Sequence, residues 1–192
     1  MTKKNKLSAL HPDVRNKISE LLKDIDKSID ILYELATTDE KTGLYNYKYF
    51  QTHLDQQFEE AKRGAPLCLL ILDLDHFKKL NDTYGHLVGD KILEHLGKLL
   101  KKHTRKSDIV ARFGGEEFLI LFPNSDITKS YKIADRIRDL IAKDKMMKKH
   151  NSTISGGITC YKKGDTKAKL KQRADKALYK AKEGGRNFIE AC

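Results

Sequence analysis

Apolar and polar residues recur along the chain with two different periods, which predict both helices and strands. Leu67–Asp75 is an almost continuous apolar run that ends in acids, the pattern of a strand buried on both faces. Two shorter apolar runs flank Gly114-Gly115 and predict a hairpin. The patterns predict helices over 12–35, 47–63, 76–84, 87–103, 127–143 and 165–182, and further strands over 108–113, 117–122, 151–161 and 186–190.

The order of these elements predicts an α+β fold. After the first helix the order is α-β-α-α-β-β-α-β-α-β, which fits a ferredoxin-like domain with a central, mostly antiparallel sheet flanked by helices. A polar break near residue 37 separates this domain, residues 37–192, from a basic tail and amphipathic helix in residues 1–36. That helix either packs on its own domain or forms a parallel coiled-coil dimer. Its heptad-like apolar seam consists of Val14, Ile18, Leu21, Ile25, Leu32 and Leu35.

Charge and hydropathy argue against a membrane-inserted, secreted or nucleic-acid-binding protein. No apolar run approaches the ~20 residues of a membrane helix, and the basic first ten residues lack the apolar core of a secretory signal. We therefore expect a cytoplasmic protein with no membrane insertion. The net charge of +11 could serve nucleic-acid binding, attraction of an anionic nucleotide or simply solubility. Arginine and aromatic residues are not interleaved, so we favour a solvated lysine-rich surface and expect no nucleic-acid partner.

The three cysteines predict neither a disulfide framework nor a zinc site. Cys68, Cys160 and Cys192 are far apart and form no Cys-x-x-Cys motif. Cys68 and Cys160 lie in apolar, strand-like runs, so we expect them to be buried free thiols in a reducing compartment.

Acidic residues at two strand ends are the candidate chemical groups. Glu116 and Glu117 follow the Gly pair at the hairpin tip, and Asp73 and Asp75 end the buried strand. A site that holds a divalent cation beside a phosphorylated ligand needs such carboxylates, whereas a core does not. Alternatively, the hairpin acids are merely solvated, and Asp73 and Asp75 cap the helix that begins near His76. We favour a metal role for Asp73 and leave a capping role open for Asp75.

Several motifs in the same order closely resemble the GGDEF family of diguanylate cyclases. Between about Asp39 and Asn187 they comprise Leu72–His86, Gly89-Asp90, Gly114-Gly115-Glu116-Glu117-Phe118, Ser155-Gly156-Gly157, Ala174–Lys182 and Gly185-Arg186-Asn187. The first acid of the signature is Glu116, a variant that active members of the family accept. The resemblance implies a domain similar to class III nucleotidyl cyclases and polymerase palm domains.

The resemblance also implies an activity. Two protomers of a homodimer would each bind one GTP and join them into cyclic di-GMP, releasing two pyrophosphates. Asp73, Glu116 and the Leu74 carbonyl would hold Mg²⁺ or Mn²⁺, with Glu117 as an additional ligand and Glu116 as the proposed general base. The implied GTP-binding groups are the amides of Phe77 and Lys78 and the side chains of Lys182 and Arg186 for the phosphates, and Asn81 and Asp90 for guanine.

A second implied site would bind the product. Arg105 and Asp108 match the family's Arg-x-x-Asp product-inhibition motif, and Arg136 matches a further product-binding arginine; the alternative for the pair is a local surface ion pair. A non-catalytic receptor for cyclic di-GMP is the second function to consider. The chain departs from the family's domain-entrance motif at Lys41 and Tyr47, which bears on how a signal from an upstream sensor or partner chain would be passed on.

Overall fold

A computed structural model describes residues 11–192 of the chain, which divide into two compact units between Thr37 and Thr38. The first unit contains α1 (Pro12–Thr37). The elements of the second unit are α2 (Tyr47–Lys62), β1 (Leu67–Leu74), α3 (Phe77–Tyr84), α4 (His86–His103), β2 (Ile109–Gly114), β3 (Glu117–Pro123), α5 (Ile127–Lys143), α6 (Lys145–Lys149), β4 (Ile154–Cys160), α7 (Lys167–Glu183) and β5 (Ile189–Ala191).

The five strands form one sheet in the order β2-β3-β1-β4-β5. β1 lies at its centre and pairs antiparallel with β3 and β4, and β2 pairs antiparallel with β3. Among the strand pairs of residues 11–192, only that of β5 with β4 is parallel. The predicted α+β architecture with a mostly antiparallel sheet is therefore confirmed.

Helices cover both faces of the sheet, which explains why β1 is apolar throughout. Leu70 and Leu72 on one face pack with residues of α4 and α5, whereas Leu69 and Ile71 on the other pack with residues of α2 and α7. Because side chains alternate along a strand, covering both faces buries every residue of β1. This rigid central strand fixes the position of the acids at its end.

α1 exposes its apolar residues. In this helix Leu32 is 65% exposed and Leu35 is 71% exposed, and of the other positions of the predicted seam only Ile18 is partly buried. Within residues 11–192 none of the helices has the combination of length and apolar character needed to cross a bilayer.

One expectation about local structure was wrong, and one short helix was missed. Cys68 and Cys160 face each other across β1 and β4, and their sulfurs are bonded as a disulfide rather than being free thiols. The two residues are 92 positions apart, so only the strand pairing brings them together. The short helix α6, in which Asp144 caps the amides of Met146 and Met147, was not predicted.

Candidate active site

The end of β1 and the hairpin between β2 and β3 bring the predicted acids to one edge of the sheet. Asp73 lies opposite Glu117 in the antiparallel register, so the two side chains share a face. The Leu74 N–H donates to the Glu116 carbonyl at 3.2 Å, which holds the hairpin tip beside the end of β1. The sheet therefore juxtaposes Asp73 with Glu116 and Glu117, as the sequence predicted, although Glu117 rather than Glu116 is its direct register partner.

Arg112 braces the Gly-Gly turn, a role that no local sequence pattern indicated. Its guanidinium donates to the Gly115 carbonyl at 2.7 and 3.1 Å, and it also contacts both carboxylate oxygens of Asp39 at 3.3 and 3.4 Å. Gly115 has a φ of 54°, a left-handed conformation that glycine adopts without strain. The turn that presents Glu116 is thus held in place by a partly buried guanidinium.

Asp73 is ion-paired with Lys182 of α7. Its Oδ2 lies 2.8 Å from the lysine Nζ, and its side chain is almost fully buried. Burial raises the pKa of Asp73, the Lys182 ammonium opposes that effect, and the neighbouring Glu116 and Glu117 add to it. A carboxylate in this environment is stabilised by a cation, and Lys182 supplies one.

The donor set fits a magnesium ion held by few protein ligands. Among residues 11–192 no three His, Cys, Asp or Glu side chains are gathered in a metal-binding cluster. Mg²⁺ commonly takes only one or two carboxylates and completes its shell with water and substrate phosphates. Asp73 and a hairpin glutamate would suffice, with Lys182 moving away from Asp73.

Asp75 neither caps α3 nor points to the predicted metal ligands. Its two oxygens accept from the hydroxyls of Thr153 and Ser155, both at 2.7 Å, and from the Asn187 N–H at 3.1 Å. The N-cap position of α3 is His76, whose side chain makes no capping bond. Asp75 is therefore a structural clamp between β1, β4 and the loop that follows α7, so its open capping role is excluded.

The groups predicted for phosphate binding flank these acids. α3 begins at Phe77 and Lys78, and its first-turn amides receive no cap from the His76 side chain. The loop after α7 carries Arg186 with a φ of 64° and Asn187 with a φ of 47°, both in the left-handed region. Amides at a helix start and a nearby guanidinium suit an anionic ligand.

The two residues predicted for guanine lie on neighbouring helices. Asn81 Oδ1 is buried and has no hydrogen-bond partner among residues 11–192, which is rare for a buried polar atom. Gly89 in α4 packs on it, and a Cβ at that position would lie 1.9 Å from the oxygen. Asp90 follows Gly89 and is ion-paired with Lys41 at 2.5 Å. The structure thus offers one unsatisfied amide oxygen and one carboxylate covered by a lysine.

The predicted product site lies at the far end of α4. Asp108 is buried and accepts from the Arg105 N–H at 2.8 Å, and no ion pair joins the two side chains in the described part of the chain. Burial raises the pKa of Asp108, and the hydrogen bond and charge of Arg105 oppose it. Arg136 donates to the His103 carbonyl at 2.9 Å, which brings it to the same end of α4. A cavity of about 310 Å³ adjoins Arg105 and Asp108.

Comparison with known proteins identifies the family of the chain. The family model for "Diguanylate cyclase, GGDEF domain" matches residues 36–188. Diguanylate cyclase A of Treponema denticola is 41% identical over 166 residues, which cover 82% of this chain and 45% of that protein. The solved coiled coil and GGDEF domain of DgcB from Caulobacter crescentus, in complex with c-di-GMP, has a TM-score of 0.82 and 30% identity, and the match covers 98% of this chain and 100% of that one. The active GGEEF domain of a diguanylate cyclase from Vibrio cholerae has a TM-score of 0.72 and 32% identity, over 76% of this chain and 96% of that one.

The fold and the acidic sheet edge define a palm-like nucleotidyl cyclase domain. Within that class, the chain belongs to the GGDEF domain family of diguanylate cyclases. The predicted family is therefore confirmed. The chain spans less than half the length of the curated relatives it matches.

Proposed function

We propose that this chain is a diguanylate cyclase that condenses two GTP into cyclic di-GMP with release of two pyrophosphates, as a homodimer that requires Mg²⁺ or Mn²⁺. The observation that carries the proposal is the meeting of Asp73 with the Glu116-Glu117 turn at the sheet edge. The names of the relatives support it, because they include diguanylate cyclases and a solved complex with c-di-GMP.

The residues would divide the chemistry as follows. Asp73, Glu116 and the Leu74 carbonyl would hold the metal ion, with Glu117 assisting, and the ion would supply charge stabilisation at the α-phosphate and lower the pKa of the attacking hydroxyl. The Glu116 carboxylate would accept the proton of the 3′-hydroxyl as its oxygen bonds to the α-phosphorus of the other GTP. The bond from that phosphorus to the pyrophosphate oxygen breaks in the same step.

Binding of the triphosphate would draw on groups beside these acids. Lys182 would exchange Asp73 for the phosphates, and Arg186 and the first-turn amides of α3 would hold the remaining oxygens. Asn81 and Asp90 would bind the edge of guanine. The buried, unsatisfied Asn81 Oδ1 supports this role because it is an acceptor that needs a donor.

A turnover assay with product mass tests the proposal. The protein is incubated with GTP and Mg²⁺, and pyrophosphate and cyclic di-GMP are measured by mass spectrometry for the parent and for Glu116→Gln and Asp73→Asn. We expect both variants to lose about 100-fold or more of the activity. Glu94→Gln, an exposed acid of α4 paired with Lys98, is the matched control and should retain it. A parent that binds cyclic di-GMP but makes none would instead be a non-catalytic receptor.

The geometry at the end of α4 supports product inhibition through Arg105, Asp108 and Arg136. Removing the Arg105 guanidinium should weaken binding of the product phosphates and guanine. We therefore expect Arg105→Ala to raise turnover at high product concentration without changing the KM for GTP. Lys129→Ala, which removes an exposed lysine of α5 that does not line this cavity, is the control. An inhibition curve identical to that of the parent would contradict the role of Arg105.

A further inference from the structure

Lys41 belongs to a tightly folded loop, residues 38–45, that we call the connecting loop because it follows α1 and precedes α2. Thr38 and Tyr45 form an antiparallel bridge, and the Asp39 N–H donates to the Leu44 carbonyl at 2.8 Å. The Asp39 carboxylate in turn accepts from the Thr42 N–H at 2.9 Å and from its hydroxyl at 2.7 Å. These bonds give the loop one conformation.

The connecting loop packs directly on α4. Thr42 and Leu44 are buried, and a Cβ on Gly97 would lie only 2.7 Å from the Thr42 carbonyl. Gly97 lies about two helical turns after Asp90. Because Thr42 packs against Gly97, the backbone of the neighbouring Lys41 is held at a fixed distance from Asp90 on the same helix.

Lys41 and Asp90 form an ion pair of 2.5 Å whose partners are 39% and 46% exposed. The ammonium donates to Asp90 Oδ1, one of the two oxygens that the edge of guanine would use through its N1–H and 2-amino donors. That oxygen can accept from two donors, but the lysine already occupies one of its two acceptor positions and weakens the negative charge that guanine would meet. A guanine nucleotide must therefore displace or share the lysine.

We propose that Lys41 controls access to the guanine-binding carboxylate and lowers the affinity of the chain for guanine nucleotides. This inference rests on the proposed role of Asp90 in binding guanine. The effect is moderate, because a half-exposed ion pair is weak. By reciprocal coupling, nucleotide binding releases Lys41, and any shift of the connecting loop that withdraws Lys41 from Asp90 raises nucleotide affinity.

The direction in which nucleotide affinity changes on removal of Lys41 distinguishes this role from a general electrostatic effect. Removing a positive charge near a triphosphate site ordinarily weakens binding of the anion. Here removal of the Lys41 ammonium is expected to strengthen nucleotide binding, because guanine then no longer has to displace the lysine from Asp90. Lys91, an exposed lysine adjacent to Asp90 in α4, provides a matched charge control.

Calorimetric titration with the α,β-methylene analogue of GTP and Mg²⁺ tests the inference without turnover. We expect Lys41→Met and Lys41→Leu to bind the analogue about three- to fivefold more tightly than the parent, the range that a pair of this strength allows. Lys41→Arg, which keeps the charge, and Lys91→Met should not bind more tightly. In an Asp90→Asn background, Lys41→Met should have no effect, because the pair it breaks is already absent.

Three results would overturn the inference: unchanged or weaker binding by both neutral Lys41 variants, equal tightening by Lys91→Met, or tightening that persists in the Asp90→Asn background. A parent that binds the analogue but makes no cyclic di-GMP would refute the cyclase proposal alone, and Lys41 would still be judged on these affinities. Failure of every variant to bind the analogue would refute the guanine site and the role of Lys41 together.

Discussion

At the scale of single residues, the position of the Asn81 amide depends on Gly89, the residue without a side chain that packs against it. The Gly89 Cα closes against the Asn81 amide and leaves its buried oxygen without a donor among residues 11–192. Leaving such an atom unsatisfied is costly unless a ligand completes it. Under the proposed function, a donor on the edge of guanine would complete this acceptor.

Gly89→Ala is expected to displace Asn81 and weaken GTP binding. The added methyl group would overlap the amide oxygen, so the amide must rotate away. Loss of a well-placed base contact should raise the KM for GTP about tenfold or more. Steady-state kinetics measures this, and a thermal melt of the variant checks that the fold is retained. A KM equal to that of the parent in a folded variant would exclude Asn81 from the guanine site.

Asp39 anchors both the connecting loop, through Thr42, and the Gly-Gly turn, through Arg112. Burial tends to raise the pKa of Asp39. The hydrogen bonds from Thr42 and the Arg112 guanidinium outweigh burial, so the pKa is lowered. A carboxyl whose pKa is lower in the folded than in the unfolded state stabilises the fold above its unfolded pKa. That contribution is lost as the pH falls through the lower, folded value.

Asp39→Asn is therefore expected to destabilise the domain at neutral pH but much less in acid. Loss of the charge-assisted bonds should reduce the free energy of unfolding at pH 7 by about 1–3 kcal/mol. The difference from the parent should shrink below about pH 4, where the unfolded carboxyl is protonated. Urea unfolding at both pH values measures this. A difference that is independent of pH would show that the charge of Asp39 is not what stabilises the loop.

Whether the role of a residue in the candidate site can be predicted from the sequence depends on how recognisable its local motif is and how far along the chain its partners lie. Asp73 and Glu116 could be predicted, because each stands at the end of an apolar run within a recognisable local motif. Lys41 and Arg112 could not be assigned roles, since their partners Asp90 and Asp39 are 49 and 73 positions away. Only the packing of the connecting loop on α4 and the hairpin brings these charges together.

At the scale of elements, Asp75 joins three parts of the domain at one buried carboxylate. It links the end of β1 to Thr153 and Ser155 around the start of β4 and to Asn187 in the loop after α7. Asn187 is held in a left-handed conformation, with its side-chain oxygen accepting from Arg138 at 3.3 Å. Asp75 thus acts as a positioning residue for the adjacent Arg186.

Asp75→Asn should affect both stability and phosphate binding. Its amide can replace only part of the three accepted hydrogen bonds, so the free energy of unfolding should fall by about 1–3 kcal/mol. Because the loop carrying Arg186 loses an anchor, the KM for GTP should rise more than kcat falls. Asp165→Asn, which breaks the ion pair with Arg173 near the other end of α7, should lower stability without raising KM. Equal KM effects in the two variants would mean that Asp75 has only a structural role.

Strand pairing marks the limit of sequence prediction at this scale. The unbroken apolar character of β1 predicted its central position, because only a strand covered on both faces tolerates it. The disulfide between Cys68 and Cys160 and the parallel pairing of β4 with β5 depend on register between distant segments. No local pattern specifies such a register, so these features could not be read from single segments.

At the scale of the whole molecule, the proposed reaction needs two active sites, because each GTP attacks the other. α1 offers a surface through which two copies could associate. Leu21, Ile25, Leu32 and Leu35 are all more than half exposed and recur at heptad-like spacing. A single helix gains nothing from such a seam in water, whereas a parallel coiled coil buries it.

Leu32→Lys is therefore expected to weaken dimerisation and make activity depend more steeply on protein concentration. A lysine in the seam replaces apolar burial in both copies, which should raise the dimer dissociation constant about tenfold or more. Asn16→Lys adds the same charge at an exposed position of α1 on the side away from the seam and is the matched control.

Analytical ultracentrifugation gives the dissociation constant, and the turnover assay is run across the same concentrations. Because each site would hold only one GTP in the proposed reaction, specific activity should fall as the dimer of Leu32→Lys dissociates and recover at high concentration. Dimerisation and activity unchanged by Leu32→Lys would show that α1 does not bring the two active sites together.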